Sequence, residues 1–295
     1  MKKGSSRLNA FDTSNAIVML CVSFAILYPL WFSIICSFND GDDIIVRGVI
    51  YWWPRVFTMD NYKVLFKDSA VASAFAVSAA RTLFGTAIHV FFTAMVAYSF
   101  TKKQLLGRKA YLALGTISLF FSGGLIPYYL LVRNLGLIDN FLVYIIPTAF
   151  NFFDAIIFMG FFRTIPESIE ESAKIDGAND LYIFWKLIVP LSTPVIATIV
   201  IFNGAFNWND FFYGVMFINR RMDLMPIQTF LYRMVTTTEA YSRVPELSSF
   251  KSQIKVTPQS VRIATMVVTT APIIIVYPFL QKYFVKGVLV GAIKG

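Results

Sequence analysis

The sequence predicts an all-α membrane protein that crosses a bilayer about six times. Three observations predict it. Hydrophobic residues make up 57% of the 295 residues while charged residues make up 15%, where soluble chains carry about 25% charge. The apolar residues are gathered into long blocks, without the polar interruption every few positions that a soluble helix shows. The basic residues lie between those blocks, with four in the tight loop 101–109, while the longer outer loops hold almost as many in all; short loops count most in setting orientation in a membrane.

A helix rises about 1.5 Å per residue and the hydrocarbon layer is about 30 Å thick, so roughly twenty apolar residues cross it. The expected spans are 16–38, 82–100, 110–131, 141–162, 187–206 and 263–280. They make one transmembrane domain over 1–295, with a cytoplasmic loop at 163–186 and external loops at 39–69 and 207–261. The first block follows Lys2, Lys3 and Arg7 as in a signal peptide, but it is too long and lacks a small-residue exit, so it reads as an uncleaved span. Residues 70–80 read as a helix at the interface or against neighbours, with Arg81 snorkelling at the membrane edge. The third span carries Gly123, Gly124 and Pro127, which mark it as irregular, either as a bend for gating or for close helix packing. Pro147, Pro194 and Pro272 also fall inside spans, where kinks are tolerated. The runs 211–218 and 224–235 are too short or too polar to cross and read as surface helices of the last external loop.

Orientation follows from Lys102, Lys103, Arg108 and Lys109 in one tight loop, joined by Arg163, Lys174, Lys186, Lys282, Lys286 and Lys294 on the same expected side. This predicts both termini inside, N-in and C-in. The net charge of +9 does not form a basic helix or an aromatic-interleaved patch, so nucleic acid is not an expected partner. Cys21 and Cys36 sit in the first apolar block and suggest neither a disulfide nor a metal site. No Ser/His/Asp, Cys/His or metal-ligand constellation is visible, and the chain has one His, so no catalytic residue is assigned.

The segment between the fourth and fifth spans carries the most information. Pro166, Glu167, Glu170 and Glu171 start a helix, with proline and carboxylates at its positive end. Gly177 breaks it, and Asn179-Asp180 caps a second helix bearing Tyr182, Phe184 and Trp185. This helix-turn-helix resembles the EAA loop of ABC importer permeases, in which Glu-Ala-Ala, three residues, Gly, nine residues and Ile-x-Leu-Pro form a coupling helix that docks on an ATPase. Glu171-Ser172-Ala173, Gly177 and Leu187-Ile188-Val189-Pro190 match at that spacing, with Ser172, Leu187 and Val189 as conservative departures.

The resemblance implies ATPase-coupling roles for Glu170, Glu171, Ser172, Ala173, Asp176, Gly177, Ala178 and Pro190. More of the chain is similar to the sugar-importing branch, and to the smaller permease of maltose-type transporters. Phe57-Thr-Met-Asp-Asn-Tyr62, Trp208-Asn209 and the ending Tyr277 to Gly287 carry that similarity. It implies the type I importer permease fold in a bacterial cytoplasmic (inner) membrane. It also implies a second, non-identical permease, two ATPase subunits, an external solute-binding protein and an oligosaccharide substrate. ATP and Mg would be bound by the partner ATPase, since this chain has no G-x-x-x-x-G-K-[ST] loop. Ser122-Gly123-Gly124 lies in an apolar span and reads as chance. The tail from Lys282 would reach towards the ATPases.

Polar residues in spans are expected to face a cavity or another helix. The pathway candidates are Asn151 and Asp154, three apart on one helix face, Asn203 and Asn207, four apart, and then Trp208, Asn209 and Asp210. Trp208 suits either stacking on a sugar ring or the interfacial aromatic belt. His89 suits a hydrogen bond between helices better than a proton relay. Arg220, Arg221, Arg233, Arg243, Lys251, Lys255 and Arg262 make the last external loop basic, which suits an acidic, uronate-containing solute as in alginate-type importers, or simply a solvated surface. The competing classes are an ion-coupled secondary transporter, for which Asp154 and His89 are the available support, and a membrane enzyme.

Overall fold

The computed structural model describes residues 10–48, 52–242 and 257–292. Lys2, Lys3, Arg7, Arg243, Lys251, Lys255 and Lys294 of the charge argument lie outside these residues. Among the described residues there is no strand, only an isolated antiparallel bridge between Asn39 and Phe57. The helices are α1 (Ala10–Ser37), α2 (Gly41–Arg47), α3 (Asp60–Lys67), α4 (Ser69–Thr101), α5 (Arg108–Phe120), α6 (Leu125–Asn134), α7 (Phe152–Phe162), α8 (Glu167–Ile175), α9 (Asp180–Ile183), α10 (Val189–Leu191), α11 (Thr193–Asn209), α12 (Phe212–Phe217), α13 (Ile227–Ser242) and α14 (Pro258–Ala292). They fall into two compact units, one drawn from Met1–Asp68 and Arg233–Thr270, the other from Ser69–Tyr232 and Ala271–Gly295.

In the first unit α1 has 28 residues, about 42 Å of helix, enough to cross the hydrocarbon layer. Its side chains from Phe11 to Ile34 are exposed or half-buried, so this apolar surface is left for lipid or another subunit. The motif from Phe57 to Tyr62 is a local tie. Asn61, fully buried, donates to the carbonyls of Ser37 and Asn39 at 2.9 and 3.0 Å. Tyr62 shares a 2.6 Å hydrogen bond with Ser37, and Phe57 stacks on Phe38. Asp43 is buried, which opposes its ionisation, but hydrogen bonds from Asn39 and Arg55 outweigh that and hold its carboxyl below the usual range.

The second unit is assembled around α4. Val90, Ala94, Ala97 and Tyr98 of α4 form one core with Ala155, Phe158 and Phe162 of α7, Ile183 and Phe184 after the α8–α9 turn, and Val195 and Ile199 of α11. A second cluster joins Val132, Leu137, Val143 and Tyr144 to Phe217 and Ile218.

The helices differ from the expected spans in specific ways. Residues 70–80 and 82–100 form one helix of 33 residues, with Val71, Ala74 and Ser78 buried against neighbours. The expected third span breaks between Phe120 and Leu125 and turns by 120°, at Gly124 with φ +85°, a backbone that glycine adopts freely. The expected fourth span is helical in its second half alone: a 3-10 turn covers Phe141–Tyr144 and α7 starts at Phe152. Pro147 has no N–H to continue a helix, and Asn151 restarts one by accepting from the N–H groups of Phe153 and Asp154. The fifth bends by 81° between Leu191 and Thr193. Three described helices are long and apolar enough to cross by themselves, or up to five elements if each bent pair is one span. The run 211–218 is helical over Phe212–Phe217 and has two faces, Phe211 and Phe212 being exposed while Phe217 and Ile218 are fully buried. Their apolar side chains and the core around Val143 and Tyr144 cover each other from solvent.

Helix α5 meets the start of α7 through Gly115, where an added Cβ would lie 2.1 Å from the Phe152 ring. Gly115→Ala is expected to destabilise the protein by about 1–3 kcal/mol through overpacking. At Gly160, where a Cβ meets nothing within 4 Å, alanine is expected to be neutral or stabilising. Thermal unfolding of the two variants in one detergent checks both.

Candidate functional site

The helix-turn-helix is present, and its turn explains the spacing of the motif. The Gly177 N–H donates to the Lys174 carbonyl at 3.0 Å and the Ala178 N–H to the Ala173 carbonyl at 2.9 Å, the paired bonds that close a helix around a left-handed residue. Gly177 has φ +82°, which a side chain bearing a Cβ disfavours. Ala173 and Ala178 pack against the core on the inner side of this turn. Asn179 then accepts from the Tyr182 N–H at 2.8 Å and starts α9, and Lys174 pairs with Asp180 across the turn at 3.1 Å. The chain passes through one π turn, Phe184–Ile188, into α10, where Pro190 is exposed.

The two adjacent glutamates point in different directions. Glu170 pairs with Lys102 and accepts from the Tyr98 hydroxyl at 3.3 Å, while Glu171 is exposed and has no polar side-chain contact among the described residues. Ser172, Asp176, Tyr182 and Leu187 line an open groove of about 800 Å³ on the hairpin. Ile175 is 86% exposed at the end of α8, and Leu181, Tyr182 and Trp185 are exposed beyond the turn. Glu171, the groove and these apolar side chains together form a surface with both charge and apolar area to offer a partner.

The polar residues of the spans are mostly taken up in pairs. His89 is buried, with Nδ1 2.7 Å from the Thr148 carbonyl and Nε2 2.8 Å from the Asp154 carboxylate. A carbonyl accepts only, so Nδ1 is the donor to Thr148. This contact ties α4 to the irregular segment before α7, the helix-to-helix role expected for His89. Asn151 is the cap of α7 and accepts from the Asp154 backbone N–H, while the Asp154 carboxylate is the group that meets His89. Asn207 donates to Asn203 at 2.7 Å and reaches Thr86 of α4, and both asparagines are buried. Trp208 packs beside Phe75, and Asn209 is exposed and donates to the Ala205 carbonyl.

Asp210 is joined to a residue expected elsewhere. Arg81 does not snorkel: it is 1% exposed, pairs with the Asp210 carboxylate at 2.8 Å and donates to the Asp210 carbonyl at 3.1 Å. Its guanidinium lies 4.6 Å over the Tyr144 ring. A lone arginine in an apolar stretch is visible in sequence, but its partner is 129 positions away and no local pattern names it. Asp139 was not singled out either. It adopts φ +55° and one carboxylate oxygen accepts from the backbone N–H groups of Asn219, Arg220 and Arg221 at 2.7, 2.8 and 3.3 Å. The Arg220 N–H foremost, with those of Asn219 and Arg221, holds its carboxyl below the usual range despite partial desolvation.

Helices throughout the described residues, several of them long and apolar enough to cross a membrane, define a multi-span membrane protein. Residues 13–290 match the family described as the binding-protein-dependent transport system inner membrane component, and the chain belongs to that family. It is 39% identical over 286 residues to Protein LplC of Bacillus subtilis (strain 168), covering 97% of this chain and 95% of that one. It is 36% identical over 277 residues to the polygalacturonan/rhamnogalacturonan transport system permease protein YtcP of the same organism, covering 94% and 96%. A solved bacterial ABC transporter involved in the import of the acidic polysaccharide alginate contains a chain with TM-score 0.86 and 28% identity, covering 96% of this chain and 100% of that one. The chain is thus a membrane component of a binding-protein-dependent importer, with ATP hydrolysis residing in a separate subunit.

Arg81→Met is expected to destabilise the protein by about 3 kcal/mol, because it leaves the largely buried Asp210 carboxylate without its counter-ion, and unfolding in detergent measures it. Asp139, with its folded pKa lowered, contributes stability that is present above its unfolded pKa and is lost as pH falls through the folded value. Asp139→Asn is expected to lower the melting temperature at neutral pH, with the difference from the native protein shrinking as pH falls towards that value.

Proposed function

We propose that this chain forms half of the translocation pathway of an ATP-driven importer of acidic, uronate-containing oligosaccharides. The observation that carries the coupling part is the hairpin: Gly177 sets the turn, and Glu171, Ser172 and Asp176 are exposed beside the apolar Ile175, Leu181 and Tyr182. An ATPase subunit, binding ATP and Mg in its own site, docks there. A second, non-identical permease completes the pathway, two ATPase subunits bind below, and an external binding protein delivers the solute. The chain crosses the membrane about six times with both termini inside. Ion pairs from Lys102 to Glu170 and from Lys103 to Glu167 bring the loops at 101–109 and 163–186 together, which supports their lying on one side.

The acidic solute is supported by two of the relatives. One is named for polygalacturonan and rhamnogalacturonan transport and the solved transporter imports alginate. In this chain Arg220 has an exposed side chain beside the Asp139 tie, and a basic external surface raises the local concentration of an anionic solute. Trp208, Asn209 and Asp210, at the C-terminal end of α11, are the proposed pathway residues.

ATP hydrolysis by the purified complex in lipid, with its binding protein, is expected to be stimulated by galacturonate or alginate oligomers and not by neutral maltooligosaccharides. Stimulation by neutral sugars alone discards the acidic solute and keeps the importer. Gly177→Pro, which cannot adopt positive φ, is expected to abolish co-purification of the ATPase; retention of the ATPase would overturn the docking role of the hairpin.

A further inference from the structure

Two regions of α4, one at its C-terminal end and one nearer its middle, carry polar contacts to elements distant in sequence, and between them the helix is uninterrupted. At one end Tyr98 is 5% exposed and its ring packs against Phe162 of α7 and Phe184 beyond α9. Its hydroxyl donates to Glu170 of α8. The Lys102 ammonium lies 4.0 Å over the same ring and pairs with the same carboxylate. Lys102 and Glu170 are each about a quarter exposed, at 24% and 23% of their side chains, so solvent screens this pair less than it screens Lys103–Glu167, at 81% and 77%. The aromatic face, the cation and the carboxylate make one three-membered contact. Nearer the middle of the helix Arg81 is locked to Asp210 and Tyr144, and the Ser78 hydroxyl accepts from the Ile227 N–H at 2.9 Å. Arg81 and Tyr98 are seventeen positions apart on the same helix, about 26 Å along its axis.

We propose that Tyr98 and Lys102 are positioning residues that clamp Glu170 of the hairpin to α4, so that α4 carries a displacement of the hairpin as a rigid rod to the Arg81–Asp210 pair. This rests on the docking role of the hairpin and adds to it the route by which the stroke leaves the hairpin. Docking itself belongs to the outward-facing side chains of the hairpin, whereas Tyr98, Lys102 and Glu170 face inward. A continuous helix resists bending, and a packed contact at each end has two discrete arrangements more readily than a graded one.

The test reads the far end of the rod directly and needs no solute. In the full complex in nanodiscs, with Cys21 and Cys36 replaced, a single cysteine is introduced by Asn209→Cys, an exposed position beside Asp210. Its labelling by a thiol reagent is compared with and without trapping of the ATPases by ATP and vanadate. Trapping is expected to change the rate by about 5-fold or more; Lys102→Met is expected to abolish that change while the ATPase still co-purifies, Lys102→Arg to retain it, and Tyr98→Phe to reduce it. A full response in Lys102→Met overturns the proposal, as does an unchanged labelling rate in the otherwise native complex. Loss of the ATPase from Lys102→Met also overturns it, because the clamp would then serve docking. Failure of the docking reading shows separately, as an ATPase that stays bound to Gly177→Pro.

Discussion

A polar group in hydrocarbon has no water to satisfy it, and this constraint organises the unit built on α4. Ser78, Arg81, Thr86, His89 and Tyr98 all point at partners from elsewhere in the chain: the Ile227 backbone, Asp210, Asn207, Asp154 with Thr148, and Glu170. Lipid removes the usual hydrophobic drive between helices, so such contacts, with close packing at Gly85 and Gly115, set which neighbour meets which face. The helix α11, the segment before α7 and the α8–α9 hairpin are thereby placed relative to α4.

The broken helices follow from the same rule. Irregular backbone at membrane depth is tolerated where it lines water or is buried in protein. In the fourth expected span the chain is not helical between Tyr144 and Phe152, yet protein groups take up its polar atoms: the Thr148 carbonyl is held by His89 and the Tyr144 hydroxyl by the Leu224 carbonyl. The break at 121–124 is different in kind, because Phe121 to Leu125 are exposed and a groove of about 470 Å³ lies along it. The bend there faces away from the core of its own unit.

The hairpin shows how one short motif divides its labour. Ala173, Gly177 and Ala178 make the turn, Glu170 holds the hairpin to α4, and Glu171, Ser172 and Asp176 are left outward. The motif spacing is therefore the spacing of a helix terminus: Ala173, three residues inside the cap, and Ala178, the residue after the glycine, are the two positions that such a cap brings together. A charge at Glu171 is then displayed from a rigid frame.

Sequence by itself determined that the chain is helical and membrane-embedded, that the segment 163–186 folds as a capped hairpin around Gly177, and that α1 and α14 are long apolar helices. These are local matters of composition, periodicity and cap chemistry, decided within a few turns of backbone. Tertiary structure alone decided the partners. Arg81 reads as a membrane-edge cation until Asp210 and Tyr144 close around it, and Glu170 and Glu171 read as equals until Lys102 and Tyr98 claim one of them. Residues 141–162 read as one apolar span, because hydropathy is blind to Pro147 and Asn151 ending and restarting the helix. The reason is common to all three: the cost of an unpaired polar group is set by whatever lies across the helix, and in this chain that group lies tens to more than a hundred residues away.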